Sequence, residues 1–291
     1  MGRQNQPVID HSRFPGSKAL GVMALLAIAM VASGALAATV GSGQGAARGA
    51  AVPATREAVL DVNAERFKPR VLAQISQCLV ASRTLRDRIA AHDLAGSQQA
   101  WLATRDSWER SEVVTSEFLP DLDRAIDAWP DAQKGFHAIE AKLFGAHNAD
   151  VLPAAEELVG NLEQFERRLR ETPLTAQGLL NGAARLAFEI GEDKASGGES
   201  PFSGNSLAEM GSNVEALRVV YTAVFAPVLS RQNAALSGDI TQHLSRLREL
   251  VAVGNLQQVD PLQLRNLSEG LASDFVGLGR QVGLTQPRVG N

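Results

Sequence analysis

The chain carries one cysteine, one tyrosine and only 5% aromatic residues. A lone cysteine excludes an internal disulfide. Cys78, at an apolar helical position in "VLAQISQCLVASRTL", reads as a buried structural thiol. Scarce aromatics beside abundant Ala and Leu disfavour sheets and suit packed helices. No long basic stripe with interleaved aromatics is present, so nucleic acid is not an expected partner. Disorder is excluded as well. With 45% hydrophobic and 21% charged residues over 291 positions, the chain has enough apolar material for one large core or two modest ones.

Charge is missing altogether from Ala19 to Val40, "ALGVMALLAIAMVASGALAATV", a run preceded by Arg13 and Lys18. This predicts an export signal over residues 1–37, with Ala35-Leu36-Ala37 as a small-x-small cleavage site. The same apolar run, residues 19–40, has the length of a membrane anchor if it stays uncleaved, and only then is the membrane an expected contact. Cleavage moves the net charge from −4 to about −6, an acidity that favours cations over anions. Residues 38–53 are small-residue-rich and read as a flexible linker.

From residue 54 onward the apolar positions step by three and four. Val71, Ile75, Cys78, Leu79, Leu85 and Ile89 form one such stripe, and Leu158, Leu162, Phe165 and Leu169 another. Pro153 is placed to open the second helix. Leu217, Tyr221 and Val224 repeat the pattern, as do Leu244, Leu247 and Val251, and then Leu264, Leu267, Leu271 and Leu278. No convincing period-two run appears, so the predicted fold is all-α. Breaks are expected near His92-Asp93, Pro120, Pro130, Pro173, "ASGGESPFSGNS" (195–206) and Gly238-Asp239. Roughly seven or eight helices result, too many for one simple four-helix bundle. Two packed four-helix-bundle-like lobes, about 54–172 and 173–285, would accommodate them.

Polar chemistry concentrates in residues 101–140, "WLATRDSWERSEVVTSEFLPDLDRAIDAWPDAQKGFHAIE". Glu109 with Glu112, and His137 with Glu140, are three apart and so share a helix face; Asp121, Asp123 and Asp127 lie between them. If the segments face each other, carboxylates and one imidazole converge as in carboxylate-rich metal sites inside bundles. Like charges in a dry pocket require a cation, and a bound metal would supply it. Oxygen ligands with one histidine suit iron or manganese, with zinc a further option. The same residues are what a solvated, salt-bridged helix face carries, and spacing alone ranks that reading above a metal site.

The ordered segments "AWLATRDSWERSEVV", "FLPDLDRAID" and "GFHAIEAKLFG" resemble the imelysin-like family, most closely its EfeO/EfeM branch of periplasmic iron-uptake proteins. The branch's ER-x-E helix corresponds to Glu109 and Glu112, its F-x-D-L-D-x-x-I-D segment to Phe118 through Asp127, and its G-x-H-x-x-E motif to Gly135, His137 and Glu140. Downstream, "LTAQGLLNGAARLAFEIGEDKASGGESPFSGNSLAEMGSNVEAL" is similar to a second signature, with Glu189 and Asn213 at matching places. One departure is clear. Where the family carries a Tyr-Ser-His-Thr-Asp-like run, this chain has Phe202-Ser203-Gly204-Asn205-Ser206, without the histidine and the acid.

The resemblance implies an imelysin-like helical domain over residues 54–291 and an exported, periplasmic protein that binds iron through His137, Glu140, Glu109, Glu112 and Asp127. It also implies delivery to a membrane iron permease, with a periplasmic peroxidase as a further partner. The competing function is a metal-dependent peptidase of the imelysin type, and a third reading is a helical binding protein with a degenerate site. Helical peptidase zinc sites pair two histidines one turn apart with a glutamate as base. Here positions 133 and 141 are Gln and Ala, which ranks binding above hydrolysis.

Overall fold

A computed structural model describes residues 55–128, 133–192 and 194–290. The export segment, its cleavage site, the linker and the break at Pro130 lie outside the described residues. Residues Val52–Asn291 group as one compact unit. Among the described residues there is no strand, and the fold is all-α as the periodicity requires.

Helix α1 spans Arg56–Ala90 and starts where the Thr55 side chain accepts from Ala58 N. Its stripe Val71, Ile75, Cys78, Leu79, Leu85 and Ile89 is buried throughout. Cys78 is fully buried, its Sγ 3.6 Å from Thr104 O, and burial pushes the thiol far above its ordinary pKa. Asp93, within the predicted break at His92-Asp93, accepts from Gly96 N at 2.9 Å and caps α2, Leu94–Glu109. Pro120 opens α4. Among the described residues of the polar region 112–140 there are three short helices, α3 (Glu112–Phe118), α4 (Pro120–Ile126) and α5 (Gly135–Glu140), and α5 runs into a π-helical turn at Ala141–Gly145. This subdivision explains why the chain holds more helices than periodicity suggested.

The remaining helices are α6 (Leu152–Glu171, with Pro153 in its first turn), α7 (Ala176–Gly191), α8 (Ser206–Val220), α9 (Ala226–Gln232), α10 (Ala234–Val251) and α11 (Pro261–Val282). Helix α10 corrects one expectation, because it runs straight through Gly238-Asp239. The break falls at Asn233, whose side chain accepts from Leu236 N at 3.0 Å and starts the helix upstream of the glycine. One glycine in a helix costs only about 1 kcal/mol, and the buried stripe Ile240, Leu244, Leu247 and Val251 outweighs it. No helix among the described residues is long and apolar enough to cross a membrane.

Helix α1 packs on α2 and α6; α11 packs on α7 and α10; α2 meets α8 and α3 meets α7. Gly182 of α7 permits that last approach, since a Cβ there would stand 2.1 Å from Val113 O. The crossing of α2, α3, α7 and α8, with α5 alongside, encloses an island of polar side chains within an otherwise apolar core.

Candidate metal site

The island is built around Arg105. It lies one turn before the end of α2 and is 0% exposed, its guanidinium 5.0 Å from the Phe136 ring centroid and 6.0 Å from that of Trp101. A buried guanidinium needs carboxylates, and four surround it. Nη1 lies 2.6 Å from Asp127 Oδ1, Nε 3.1 Å from Glu209 Oε1, Nη2 3.6 Å from Glu199 Oε1, and Nη2 also pairs with Glu109 one turn along.

Asp127 follows α4 directly and is fixed twice more. Trp108 Nε1 donates to its Oδ2 at 2.7 Å, and His137 Nε2 lies 3.3 Å from its Oδ1. Gly135 makes the His137 placement possible: with φ at +66°, it brings α5 so close to α4 that a Cβ would stand 2.3 Å from Ile126 O. Two residues later the imidazole is buried, with Nε2 toward Asp127 and Nδ1 3.3 Å from Glu140 Oε2. Glu140 is held on its other oxygen by Ser203 N (2.9 Å), Ser203 Oγ (2.8 Å) and Phe202 N (3.2 Å).

A second cation completes the island. Lys194, on the short turn Lys194–Ser196, is 1% exposed and places Nζ 2.9 Å from Glu109 Oε2, 3.2 Å from Glu112 Oε2 and 3.4 Å from Glu199 Oε1. Asn213 Nδ2 donates to Glu109 Oε2 and Glu112 Oε2, both at 2.8 Å, while its buried Oδ1 has no hydrogen-bond partner. Glu209 Oε2 is likewise buried without a partner.

These contacts set the protonation states. Burial alone would lower the His137 pKa, but hydrogen bonds to Asp127 and Glu140 outweigh it and raise the value to about 9. Burial would raise Asp127, yet Arg105 and then His137 hold it far below the usual carboxylate range. Glu109 is held at about 2 by Arg105 and Lys194 against the same burial. Glu112 and Glu199 go the other way, raised chiefly by burial, and Asp123 is raised by burial to about 6. At neutral pH the island therefore holds an imidazolium, and burial leaves Glu112 and Glu199 less readily ionised than free carboxyls.

A cavity of about 140 Å³ opens beside the island, lined by Glu112, Asp123, Asp127, His137, Arg185, Glu189, Lys194 and Glu199. On its wall one carboxylate oxygen each from Asp127 and Glu199 and one ring nitrogen of His137 lie within 4.8 Å of one another, a spacing that one metal ion can span.

Of the five residues expected from sequence, the fold brings Asp127 and His137 together at that wall. Glu140 sits on the opposite ring nitrogen, engaged with the 202–203 backbone. Glu109 and Glu112 meet each other across Lys194 and Asn213. Sequence reading missed Glu199, Glu209, Arg105 and Lys194. Arg105 had a signal, being one helical turn before Glu109, and Glu209 had another, one turn before Asn213. Glu199 and Lys194 are not singled out by sequence, because they lie in or beside the Gly/Ser-rich stretch, which reads as a break and as part of the second signature with only Glu189 and Asn213 matched.

Comparison with known proteins agrees with this architecture. The family model described as Imelysin, peptidase M75, matches residues 69–134 and 131–280. The iron uptake system component EfeO of Escherichia coli K12 is 26% identical over 238 residues, covering 75% of this chain and 63% of that protein. EfeO of Shigella boydii is 28% identical over 196 residues, or 64% of this chain and 52% of that one. The chain thus spans less than two thirds of the length of these relatives. The crystal structure of an imelysin-like protein from Psychrobacter arcticum superposes with a TM-score of 0.67 at 14% identity, covering 81% of this chain and 99% of that one, a likeness of fold.

Proposed function

The chain belongs to the imelysin family, and on that premise we propose that it captures an iron ion as cargo for an uptake system, at the cavity wall formed by Asp127, His137 and Glu199. The observation that carries this reading is the convergence of three ligand atoms within 4.8 Å, two of them carboxylate oxygens and one an imidazole nitrogen. Such a donor set suits iron or manganese, and admits zinc. The relatives named iron uptake system component supply the choice of iron among these.

In this reading Asp127, His137 and Glu199 hold the ion, and His137 binds as neutral imidazole after losing its proton. Glu140 accepts from Nδ1 and so aims Nε2 at the cavity, as carboxylates behind metal-bound histidines do. Glu109 and Glu112 contribute negative charge one step further away and become ligands only if released from Lys194. Export to the periplasm through residues 1–37, and handover to a membrane permease with a peroxidase partner, complete the proposal.

The test is metal titration of the exported form by calorimetry, with ferrous iron under anaerobic conditions, manganese and zinc. The wild type should bind one ion, and His137→Ala and Glu199→Gln should each weaken binding at least tenfold while remaining helical by circular dichroism. Equal binding by all three proteins would refute the assignment.

A further inference from the structure

Besides the His137 imidazolium the island contains two permanently charged side chains, and they are mounted differently. Arg105 projects from the 16-residue helix α2 one turn before its C-terminal end, stacked on Phe136 and paired with four carboxylates. Lys194 projects from a three-residue turn. The stretch that follows, Gly197 to Asn205, is held by few backbone hydrogen bonds, chiefly Gly197 N to Lys194 O at 3.0 Å and Gly204 N to Ser200 O at 3.0 Å. Both ends of this stretch are tied to the same polar island, one through Lys194 and the other through the Phe202 and Ser203 amides on Glu140.

Lys194 shares Glu199 with the candidate ligand set. Its Nζ is 3.4 Å from Glu199 Oε1, the residue that stands with Asp127 and His137 at the cavity wall. A metal ion on Glu199 would sit within a few ångströms of the ammonium, since both side chains line the same cavity. Two cations at that distance repel strongly. Arg105 is held by two aromatic rings and four carboxylates, whereas Lys194 has a flexible stem on a short turn. Its departure would release Glu109 and Glu112, the two carboxylates it now neutralises.

We propose that Lys194 is a tethered cation that occupies the Glu109–Glu112–Glu199 carboxylates in the metal-free protein and is displaced by the incoming ion, so that it limits metal affinity and couples capture to movement of the 194–203 segment. This rests on the reading of the pocket as a cation site. It adds a residue that opposes binding and a conformational consequence of binding. A fixed structural counter-ion would instead keep its contacts whether or not metal is bound, and its loss would affect folding alone.

Manganese and zinc titration of wild type, Lys194→Met and Lys194→Gln decides the first part. Both variants should bind at least tenfold more tightly than wild type, with Lys194→Gln guarding against failure of the apolar variant to fold; helical content is checked by circular dichroism. The second part is read on wild type alone by amine acetylation followed by peptide mass spectrometry. Lys194 should be protected without metal and become modified when manganese saturates the protein. Unchanged or weaker binding in the folded variants, or a Lys194 that stays protected in a protein shown to have bound manganese, overturns the proposal while leaving the cation site intact. A wild type that binds neither ion, with variants that bind neither, overturns both.

Discussion

His137 Nε2 lies 3.3 Å from Asp127 Oδ1, so the imidazole faces a carboxylate held far below its ordinary pKa. Glu140 faces the other nitrogen at 3.3 Å, and Arg105 and Glu199 complete the charged surroundings. The sequence alone places the histidine's proton loss near the usual value of about 6.5, with binding strengthening from about pH 5 to 7. The fold shifts that window upward, because the two carboxylates raise His137 to about 9. Zinc or manganese affinity should climb through the range from about pH 6.5 to 8.5, by about tenfold per unit where one proton is displaced per ion. A plateau reached by pH 7 in titration calorimetry would contradict the His137 assignment.

The same pair predicts how the metal-free protein responds to alkali. A histidine whose folded pKa exceeds its unfolded value stabilises the fold fully below the unfolded value and loses that contribution as pH rises through the folded one. For His137 the window runs from about 6.5 to about 9. Urea unfolding of the metal-free protein should show a loss on the order of 3 kcal/mol across it. In His137→Gln that alkaline slope should be absent, and a slope that persists there would assign it to another group.

Arg105 is the residue on which the buried acids depend. Replacing it with methionine would keep much of the stem's packing against Phe136 and Trp101 but leave Asp127, Glu109, Glu199 and Glu209 without their shared partner. Breaking a buried pair from one side costs about 3–5 kcal/mol. Arg105→Met should therefore be destabilised by that amount at neutral pH. It should recover part of it near pH 5, where the orphaned carboxyls take up protons. Denaturant midpoints at pH 7.5 and 5 check this, and equal loss at both would point to packing instead.

The fold was legible because its helices are amphipathic. Every stripe named from the sequence, from Val71 to Leu278, is buried, since steps of three and four leave a helix only one way to hide them. The Gly238 break misled because a glycine signals a turn only where no stronger pattern crosses it. The site was legible in part. His137, Glu140 and the acids of α2–α4 lie close in sequence and carry motif spacing, whereas Lys194 and Glu199 reach the island only through tertiary folding of a stretch with no periodicity. The sequence argument that clustered acids require a cation was sound. What it could not show was that the chain supplies cations of its own, Arg105 and Lys194 beside the His137 imidazolium, so acidity by itself does not demand a metal.

Glu140 provides the sharpest separation between a residue that holds the ion and one that aims the residue that does. Its Oε1 is already taken by the Phe202 and Ser203 amides and the Ser203 hydroxyl, and its Oε2 faces His137 Nδ1. Hydrogen bonds from His137 and Ser203 keep it ionised against the burial that would raise it. Glu140→Gln preserves the shape and one acceptor oxygen but removes the charge behind the imidazole. Metal affinity at saturating pH should fall about 10–100-fold, the usual cost of losing such a partner. Below that pH the loss should be smaller, because a neutral neighbour no longer favours the protonated imidazole and the proton leaves more easily. Cobalt substitution gives an independent readout: the visible absorption of the bound ion should keep its wild-type shape in Glu140→Gln and change in Glu199→Gln. A changed spectrum in Glu140→Gln would make Glu140 a ligand itself and require it to leave the 202–203 amides when metal arrives.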